Sequence, residues 1–317
     1  MSEAESDFTI MGSGALGLLF AGLLSEEGAR VALLDHDLER ARRISRSGIA
    51  IAGPGEAPER RINVEAATEL PHAGFLLVAV KAHSDASVVA RLSGLTECVT
   101  VVTLGNGLGR AEALASLGRE RVLLASTSEG ATLLAEGSVR HAGRGVTRVA
   151  PLDATGARRA EKLVRRLSAL GLEARLETSA RQLEWEKLVV NAAINAIAGV
   201  LDMPNGGLLE SPEAAAMADR AAEEAASVAA ALHVPGDWSP DEARRRWRAV
   251  AAATATNLCS TVQDLRGHRK SEVHAINGAI ARSAREAGIE TPLNELLAGL
   301  ITARERQDRD LNADQRT

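Results

Sequence analysis

A glycine-rich segment close to the start of the chain constrains the fold more than any other part of the sequence. The segment Gly12-Ser-Gly-Ala-Leu-Gly17 follows a short apolar run and precedes an apolar helical pattern. A second apolar run, Val31–Leu34, comes next and is followed by the carboxylate of Asp35. This order of strand, tight turn, helix and strand, within roughly 30 residues, is the context in which a G-x-G-x-x-G motif binds a dinucleotide.

Each glycine of the motif has a separate expected role. Gly12 allows the tight turn, Gly14 lets the backbone approach a pyrophosphate, and Gly17 lets the helix pack closely on the strand. The unpaired N–H groups and partial positive charge of the helix N-terminus then favour the phosphates. The alternative is that the glycines only make a turn. The flanking pattern of strands and helix favours dinucleotide binding over this alternative. The residues predicted to bind the cofactor here are Gly12, Ser13, Gly14, Ala15, Leu16 and Gly17.

Asp35 bears on the choice of cofactor. A carboxylate at the end of the second strand can accept hydrogen bonds from the adenosine ribose, which favours NAD(H) and repels the 2′-phosphate of NADP(H). The alternative is an exposed carboxylate at a strand end. His36 and Arg40 follow closely and could instead accommodate a phosphate, so NADP(H) stays open.

The order of strand and helix patterns changes near residue 178. Before that point short apolar strands alternate with helical patterns, which is typical of a mainly parallel, doubly wound sheet. After it the strands stop and helical periodicity continues. We predict an α/β Rossmann-type doubly wound sheet over residues 1–178, followed by an all-α C-terminal domain over residues 179–317. Residues 138–151 are predicted to form an antiparallel hairpin added to that sheet, and residues 268–287 to form one helix.

Charge and composition exclude several classes of partner. The net charge of −5 gives no basic surface for nucleic acid, and the longest apolar runs are too short to span a membrane. The acidic N-terminus lacks the features of a signal peptide, so a cytoplasmic protein is expected. Cys98 and Cys259 lie among apolar residues and are expected to be buried, reduced thiols. No metal site is predicted, and a homodimer formed through the C-terminal helices stays open.

One helical stretch combines an apolar surface with a line of polar groups. Lys187, Asn191 and Asn195 are spaced four residues apart, which places them on one face of the predicted helix. Their neighbours are almost all apolar, so the helix should be buried and its polar side chains need partners. The amides can bind carbonyl or hydroxyl groups, and the lysine can protonate an oxyanion or stabilise its charge. The alternative is a structural network that ties two helices together.

Other candidate residues follow strands or lie on later helices. Lys81 and Asn106 follow two buried strands, and ligands of an open α/β sheet bind beyond the carboxyl ends of its strands. Both are therefore expected on the cofactor side, with a surface lysine and a turn asparagine as the alternatives. Ser260 and Asp264 share a helix face by their spacing, and Glu272 is predicted to open a helix. On an ordinary surface helix such groups would simply be solvated.

A series of short segments along the chain carries a resemblance to a known family. The segments are Gly12–Gly17, Val80–Ala82, Gly105–Gly109, His141–Gly145, Glu186–Leu188, Asn191–Asn195, Pro204–Gly206, Gln263–Asp264, Ser271–Glu272 and Ile276–Gly278. Taken in this order, they resemble the ketopantoate reductase (2-dehydropantoate 2-reductase) family over nearly the full chain. The resemblance implies a Rossmann domain followed by a helical domain, with the active site in the cleft between them.

The resemblance also implies an activity and roles for single residues. The implied reaction is hydride transfer from a nicotinamide to the ketone of 2-dehydropantoate, giving D-pantoate for pantothenate and coenzyme A synthesis. Lys187 matches the family's general acid, and Glu272 matches a carboxylate that supports catalysis. The other implied contacts are Asn191, Asn195, Ser260 and Asn106 with the substrate, and Lys81, Asn106, Ala131 and Glu272 with the cofactor.

The chain departs from the family pattern at two places. Family members usually prefer NADP(H) and often carry arginine at the position of His36, whereas Asp35 here favours NAD(H). Ala196 stands where proline is common, so the helix need not break there and the substrate pocket can differ. Two alternatives follow: a related dehydrogenase of another 2-oxo or 3-hydroxy acid, and a nicotinamide-sensing protein that catalyses nothing. The nicotinamide-sensing protein is disfavoured because a complete set of polar candidate residues is present, namely Lys187, Asn191, Asn195, Ser260 and Glu272.

Overall fold

The computed structural model describes residues 6–53, 58–70 and 73–314. Residues 1–5, 54–57 and 71–72 of the first predicted domain range and residues 315–317 of the second therefore lie outside the described residues. Among the helices of this described part, none combines the length and the apolar character needed to cross a membrane.

Packing contacts divide the chain into two compact units. The first unit holds Met1–Gly105 and Gly109–Leu183, and the second holds Asn106–Leu108 and Glu184–Thr317. A three-residue loop that follows a strand of the first unit thus packs with the second. Whether the chain also folds as two independent domains divided after residue 178 stays a prediction.

The first unit alternates strands and helices, which confirms the predicted α/β Rossmann-type class. Short turns of 3₁₀-helix connect some of these elements. In chain order the strands and α-helices of this unit are β1 (Ser6–Met11), α1 (Ala15–Glu26), β2 (Val31–Leu34), α2 (Leu38–Ser47), β3 (Ile49–Ala52), β4 (Arg60–Ile62), β5 (Glu65–Ala67), β6 (Ala73–Val78), α3 (Asp85–Leu92), β7 (Thr100–Thr103), α4 (Arg110–Ala113), β8 (Val122–Thr127), β9 (Gly130–Ala135), β10 (Ser138–Gly143), β11 (Val146–Pro151), α5 (Ala157–Ala169) and β12 (Glu173–Leu176).

The larger sheet has eight strands in the order β12-β11-β8-β7-β6-β1-β2-β5. Neighbouring strands are parallel except for β11 and β8. The chain continues from β1 to β2 on one side and later to β6 on the other, so the strand order reverses between β1 and β6. Ligands of doubly wound sheets bind at such a switch point, beyond the carboxyl ends of the strands. The glycine motif follows β1 and the Lys81 loop follows β6, so both lie at this point.

A second sheet of four strands, in the order β4-β3-β10-β9, was not expected from the sequence. The predicted hairpin over residues 138–151 is wrong, because β10 pairs with β9 and β3 here while β11 pairs with β8 and β12 in the larger sheet. A Cβ on Gly145 would lie 2.3 Å from the carbonyl carbon of Ser128. Gly145 therefore lets the chain pass close to another backbone as it changes sheets, instead of turning back on itself.

Helix α1 packs against both sheets and its apolar side chains fill the space between them. Gly22 permits the close approach, since a Cβ there would lie 2.4 Å from Cδ1 of Ile51 on β3. Most of this core is aliphatic, with one stacked aromatic pair, Phe8 and Phe75, whose ring centres are 5.3 Å apart. Each fully buried leucine or phenylalanine side chain contributes about 1.5–3 kcal/mol to the stability of such a core.

The second unit is almost entirely helical, which confirms the predicted all-α character of the C-terminal part. Its longest buried helix begins just before the unit boundary and runs without a break through Ala196, as expected for alanine at this position. Small side chains along another helix, such as Ala218, Ala222 and Ala225, are fully buried and let neighbouring helices approach. The helices are α6 (Ala180–Leu201), α7 (Gly207–Glu210), α8 (Pro212–Ala231), α9 (Pro240–Ala253), α10 (Ser260–Arg266), α11 (Asn277–Ala287) and α12 (Pro292–Asp314).

The predicted helix over residues 268–287 is wrong at its start. Helix α11 begins only at Asn277, and Glu272 precedes a 3₁₀ turn, Val273–Ala275, instead of opening the helix. The backbone of Ile276, with φ −107° and ψ −95°, interrupts the helical conformation. The side chain of Asn277 is fully buried and donates 3.2 and 3.0 Å hydrogen bonds to oxygens of α6 and α12. Tertiary hydrogen bonds therefore set this boundary rather than local propensity.

Candidate functional site

The glycine motif after β1 leaves an open surface at the N-terminus of α1. Gly12 has φ +110°, a conformation that favours glycine, and a Cβ on Gly17 would lie 1.8 Å from the carbonyl oxygen of Gly12. In contrast, a Cβ on Gly14 would meet no atom within 4 Å. Gly14 is the N-cap residue directly before α1, and no side-chain hydrogen bond caps the helix there. Free space beside uncapped N–H groups fits the pyrophosphate of a dinucleotide.

The loop after β6 packs directly against this turn. The N–H of Ala79 donates a 2.9 Å hydrogen bond to the carbonyl oxygen of Met11, and Val80 Cγ1 is 2.8 Å from where a Cβ on Gly12 would stand. Lys81 follows at once and is half-buried. The first unit therefore brings Lys81 and the glycine motif together at the switch point of its sheet.

The carboxylate of Asp35 is held by hydrogen bonds immediately after β2. Arg40 donates to it from Nε and Nη2, each at 2.6 Å, the backbone N–H of Asp37 donates at 2.8 Å, and the Ser13 hydroxyl donates as well. Burial raises the pKa of the Asp35 carboxyl, but these hydrogen bonds outweigh burial and bring the pKa to about 2. Its side chain is only 1% exposed, so it is not the solvated carboxylate of the alternative interpretation.

Ala131 lies half-buried on β9 of the second sheet, opposite His141 of β10. Nε2 of His141 is 2.7 Å from Oε2 of Glu129, and both side chains are nearly buried. His141 belongs to a motif of the sequence, but its partner Glu129 was not predicted, because a separation of 12 residues across a sheet connection leaves no periodic signal. This pair holds the start of β9 beside Ala131.

In the second unit, one face of α6 carries the predicted polar line. Lys187 and Asn191 are half-buried, and Asn195 is buried. Adjacent residues such as Leu188 and Val189 are almost fully buried in the apolar core of this unit. The three polar groups therefore stand at successive turns of α6, next to side chains that belong to the apolar core of this unit.

Asn106 and Glu272 come together in the second unit, although they are far apart in sequence. Nδ2 of Asn106 donates to Oε2 of Glu272 at 3.0 Å, and its Oδ1 accepts from Nδ2 of Asn191 at 3.5 Å. The N–H of Leu108 donates a 3.0 Å hydrogen bond to the carbonyl oxygen of Ala275, which fixes the loop that carries Asn106. Three predicted site residues are thus joined in one hydrogen-bonded chain.

Ser260 begins α10 next to α6. Sγ of the preceding Cys259 lies 3.7 Å from the carbonyl oxygen of Asn195. The backbone at Ser260 therefore lies close to that at Asn195, and both residues are predicted to contact the substrate. Burial raises the pKa of the Cys259 thiol to about 11, so this thiol stays protonated. The prediction of two buried thiols is wrong for Cys98, which is exposed, whereas its apolar neighbour Val99 is buried in the core. Within the described chain, no cluster of His, Cys, Asp and Glu side chains is placed to hold a metal ion.

Glu305 on α12 supports the segment that carries Glu272, a role that was not predicted from the sequence. Its Oε1 accepts hydrogen bonds from the backbone N–H of Ser271 at 2.8 Å and from the Ser271 hydroxyl at 2.5 Å. Both residues are buried. A separation of 34 residues between a loop and a helix gives no sequence signal, so only the structure identifies this support.

Comparisons with known proteins identify the same family over most of the chain. A family model described as "Ketopantoate reductase PanE/ApbA" matches residues 8–154, and one described as "Ketopantoate reductase PanE/ApbA C terminal" matches residues 179–305. A 2-dehydropantoate 2-reductase of Halobacterium salinarum is 34% identical over 94% of this chain and 98% of its own length.

Two solved structures have a similar fold. A PanE/ApbA family ketopantoate reductase of Ralstonia eutropha matches with a TM-score of 0.83 at 28% identity, covering 96% of this chain and 99% of its own. A D-mandelate dehydrogenase, solved with NADH and anilino(oxo)acetate, matches with a TM-score of 0.88 at 25% identity and the same coverage of both chains. From the matched family models and the full-length relative, the chain belongs to the ketopantoate reductase family of oxidoreductases.

Proposed function

We propose that the chain reduces the ketone of 2-dehydropantoate to D-pantoate, in pantothenate and coenzyme A biosynthesis, with NAD(P)H as hydride donor. The observation that carries this proposal is the polar cluster of the second unit. There Lys187 shares a helix face with Asn191, and Asn191 is linked through Asn106 to Glu272. The Halobacterium relative, named 2-dehydropantoate 2-reductase, supports the same substrate.

The chain's own residues have distinct tasks in the proposed reaction. A bound reduced nicotinamide supplies the hydride to the carbonyl carbon, which leaves negative charge on the carbonyl oxygen. Lys187 donates its ammonium proton to that oxygen and stabilises the charge as it forms. The amides of Asn191 and Asn195 and the hydroxyl of Ser260 are suited to hold the carboxylate and hydroxyl groups of the substrate. Glu272 keeps the Asn106 amide oriented.

The cofactor would be held by the first unit. The open space at Gly14 supports a pyrophosphate there, and Lys81 and Ala131 are the further proposed contacts. We expect NAD(H) to be preferred, because Asp35 is ionised at neutral pH and disfavours a 2′-phosphate. NADP(H), the usual cofactor of the family, is the alternative. Values of kcat/KM for NADH and NADPH with the same substrate decide between them, and a clear NADPH preference would reject the proposal for NAD(H).

The test is a spectrophotometric assay of nicotinamide oxidation with 2-dehydropantoate and each reduced cofactor. Lys187→Ala is expected to lower kcat by about 10²–10⁴-fold, the usual contribution of a positioned general acid. Its Kd for the reduced cofactor should stay nearly unchanged. Lys162→Ala is the matched control, since this exposed lysine of α5 lies over the Phe75 ring and not in the proposed site. Turnover that survives in Lys187→Ala would show that the acid is another group.

A related dehydrogenase is the second candidate. The likeness to D-mandelate dehydrogenase, with a TM-score of 0.88, favours it, because that enzyme acts on a different 2-hydroxy acid. Comparing kcat/KM for 2-dehydropantoate with that for the 2-oxo acid corresponding to mandelate separates the two. A higher value for the aromatic acid would replace the first proposal but keep Lys187 in the same role. A protein that only senses nicotinamide is disfavoured by membership in an enzyme family.

A homodimer is a further hypothesis. Leu296 and Leu300 on α12 are 57% and 45% exposed, which is high for large apolar side chains one turn apart. A second copy of the chain would cover them. Sedimentation equilibrium of the unchanged chain and of Leu296→Ser with Leu300→Ser tests this hypothesis, and a monomer at all concentrations contradicts it.

A further inference from the structure

The carboxylate of Asp35 has no vacant acceptor site. Oδ1 accepts from the Asp37 backbone N–H at 2.8 Å and from Arg40 Nη2 at 2.6 Å, while Oδ2 accepts from Arg40 Nε at 2.6 Å and from the Ser13 hydroxyl. An ionised carboxylate offers about four lone-pair sites, and here all four have donors. A ribose hydroxyl can therefore bind Asp35 only when one of these donors leaves.

The donors differ in how readily they can leave. Arg40 binds through two parallel charge-assisted hydrogen bonds, the strongest arrangement available to a carboxylate. The N–H of Asp37 is fixed at the start of α2, where the Asp37 side chain also caps the helix by accepting from the Arg40 N–H at 3.0 Å. The Ser13 hydroxyl makes a single bond and can rotate. A ribose hydroxyl would therefore replace Ser13, and Arg40 would stay on Asp35.

Arg40 is also well placed for a phosphate. Its side chain is 27% exposed, and its Nη2 lies 3.4 Å from Nδ1 of the exposed His36. The next two arginines of α2 have partners of their own, since Arg42 pairs with Glu39 at 2.8 Å and Arg43 pairs with Glu136 at 2.5 Å. Arg40 is thus the α2 guanidinium in contact with the carboxylate that selects the cofactor.

We propose that Asp35 sets the cofactor preference by holding Arg40, which is a latent ligand for the 2′-phosphate of NADP(H). We call this pair the latch. While Asp35 is ionised, the Arg40 guanidinium stays hydrogen-bonded to it and is not available to bind a phosphate. A 2′-phosphate therefore approaches a carboxylate whose acceptor sites are all filled. This proposal rests on the proposed nicotinamide-dependent function and adds Arg40 as a specificity-determining residue.

The latch makes a prediction that repulsion by Asp35 alone does not make. If repulsion were the whole effect, Asp35→Asn would admit NADPH whether or not Arg40 is present. If Arg40 is released by the substitution, the gain in NADPH affinity must disappear when Arg40 is removed as well. A double-mutant cycle measures this difference directly, because it isolates the energetic coupling between two residues in contact.

The experiment measures Kd for NADH, NADPH and adenosine 2′,5′-bisphosphate with the unchanged chain, Asp35→Asn, Arg40→Met and the double variant. Asp35→Asn should bind NADPH and the bisphosphate at least about tenfold more tightly, as expected for one new charge-assisted hydrogen bond. Arg40→Met alone should change NADPH affinity by less than about threefold, but in the Asp35→Asn background it should abolish the gain. Arg42→Met, on the same helix, is the matched control and should leave all affinities unchanged.

Two results would overturn the latch. A tenfold loss of NADPH affinity in Arg40→Met alone would show that Arg40 already binds phosphate in the unchanged chain. A gain that survives in the double variant would show that repulsion alone sets the preference. Asp35→Ser serves as a second variant if Asp35→Asn folds poorly.

The bisphosphate separates this proposal from the proposed function. If no variant binds a nicotinamide but Asp35→Asn gains the bisphosphate through Arg40, the latch stands and the proposed function fails. If NADH is bound and turned over but the bisphosphate binds no variant, the latch fails alone.

Discussion

The side-chain amide of Asn106 donates a 3.0 Å hydrogen bond to Glu272, which follows it by 166 positions in the sequence. The amide oxygen of Asn106 also accepts from Asn191 on α6 at 3.5 Å. Because an amide has one acceptor and one donor side, these two contacts together determine which way it faces. The arrangement requires Asn106 to be an amide rather than a carboxylate, because only an amide can donate to Glu272 and accept from Asn191 at the same time.

Replacing Asn106 tests this requirement through pH. Asn106→Ala should lower kcat/KM by about tenfold or more at all pH values, since a hydrogen bond to a charged group is worth about 1.5–3 kcal/mol. Asn106→Asp should be worse than Asn106→Ala at pH 8, because two carboxylates would face each other. At lower pH the two carboxyl groups can share a proton, so that one donates to the other and Asn106→Asp should recover relative to Asn106→Ala. Profiles of kcat/KM against pH that run parallel for both variants would contradict this account.

Two glycines of the motif should respond differently to alanine. Gly17→Ala places a Cβ 1.8 Å from the carbonyl oxygen of Gly12, so we expect a fall of several degrees in Tm, or failure to fold. Gly14→Ala meets no atom within 4 Å, so the fold should keep its Tm within about 2 °C. The new methyl group would nevertheless stand where a pyrophosphate approaches, and NADH affinity should fall at least about tenfold. Thermal melting with NADH titration separates the two effects, and unchanged NADH binding by Gly14→Ala would contradict the assigned site.

Glu305 should affect both stability and turnover. Glu305→Ala leaves two buried Ser271 donors without this acceptor, at a cost of about 1–3 kcal/mol in the free energy of unfolding. Because Glu272 is the next residue, kcat should fall as well while NADH affinity changes little. Glu305→Gln is the matched control, since its amide oxygen can accept the same hydrogen bonds and should restore most of both quantities. Urea unfolding measures the free energy of unfolding and steady-state assays measure kcat. An equal loss of stability and of kcat in Glu305→Ala and Glu305→Gln would mean that the charge, and not the acceptor, is needed.

The fold class could be predicted from the sequence because its signals are local. The glycine motif and the apolar runs around it determine β1, α1 and β2 through contacts between near neighbours in sequence. Helix α6 forms where the sequence predicted a helix around Lys187, because apolar residues recur at helical spacing along it.

The second sheet was missed for the opposite reason. Strand β10 pairs with β3, about ninety positions earlier, and a parallel pair of this kind leaves no turn signal between the partners. A glycine-rich connection was interpreted as a hairpin, since local sequence does not distinguish a turn from a passage between sheets. The start of α11 was misplaced because buried hydrogen bonds of Asn277 decide it.

The candidate site also has a part that could be predicted from local sequence and a part that could not. Residue types and spacing on α6 could indicate Lys187, Asn191 and Asn195, since one helix carries all three. The contacts that orient other candidates join distant segments, as in Asn106 with Glu272 and Ser271 with Glu305. Such contacts have no period in sequence, so their roles could come only from the resemblance or from the structure.

Asp35 should make stability depend on acid pH. The pKa of its carboxyl is lowered from 3.8 to about 2 in the folded chain, so the ionised form is stabilised by folding. This stabilisation is fully present above the unfolded-state pKa and is lost as pH falls through the folded-state pKa. The difference corresponds to about 2 kcal/mol, of which about half should be lost by pH 3.

Urea unfolding of the unchanged chain and of Asp35→Asn at pH 7, 4 and 3 measures this contribution. At pH 7 Asp35→Asn should be less stable by about 2 kcal/mol, and the gap should narrow to about half by pH 3 because only the unchanged chain loses the ionised form. Asp202→Asn is the matched control: this carboxylate also pairs with an arginine, Arg266, at 2.8 Å, but both side chains are about half exposed. Solvent screens such a pair, so its effect should stay below about 1 kcal/mol. The difference in free energy of unfolding between Asp35→Asn and the unchanged chain could instead stay constant from pH 7 to pH 3. That result would mean that Arg40 and Ser13 do not stabilise the ionised carboxylate.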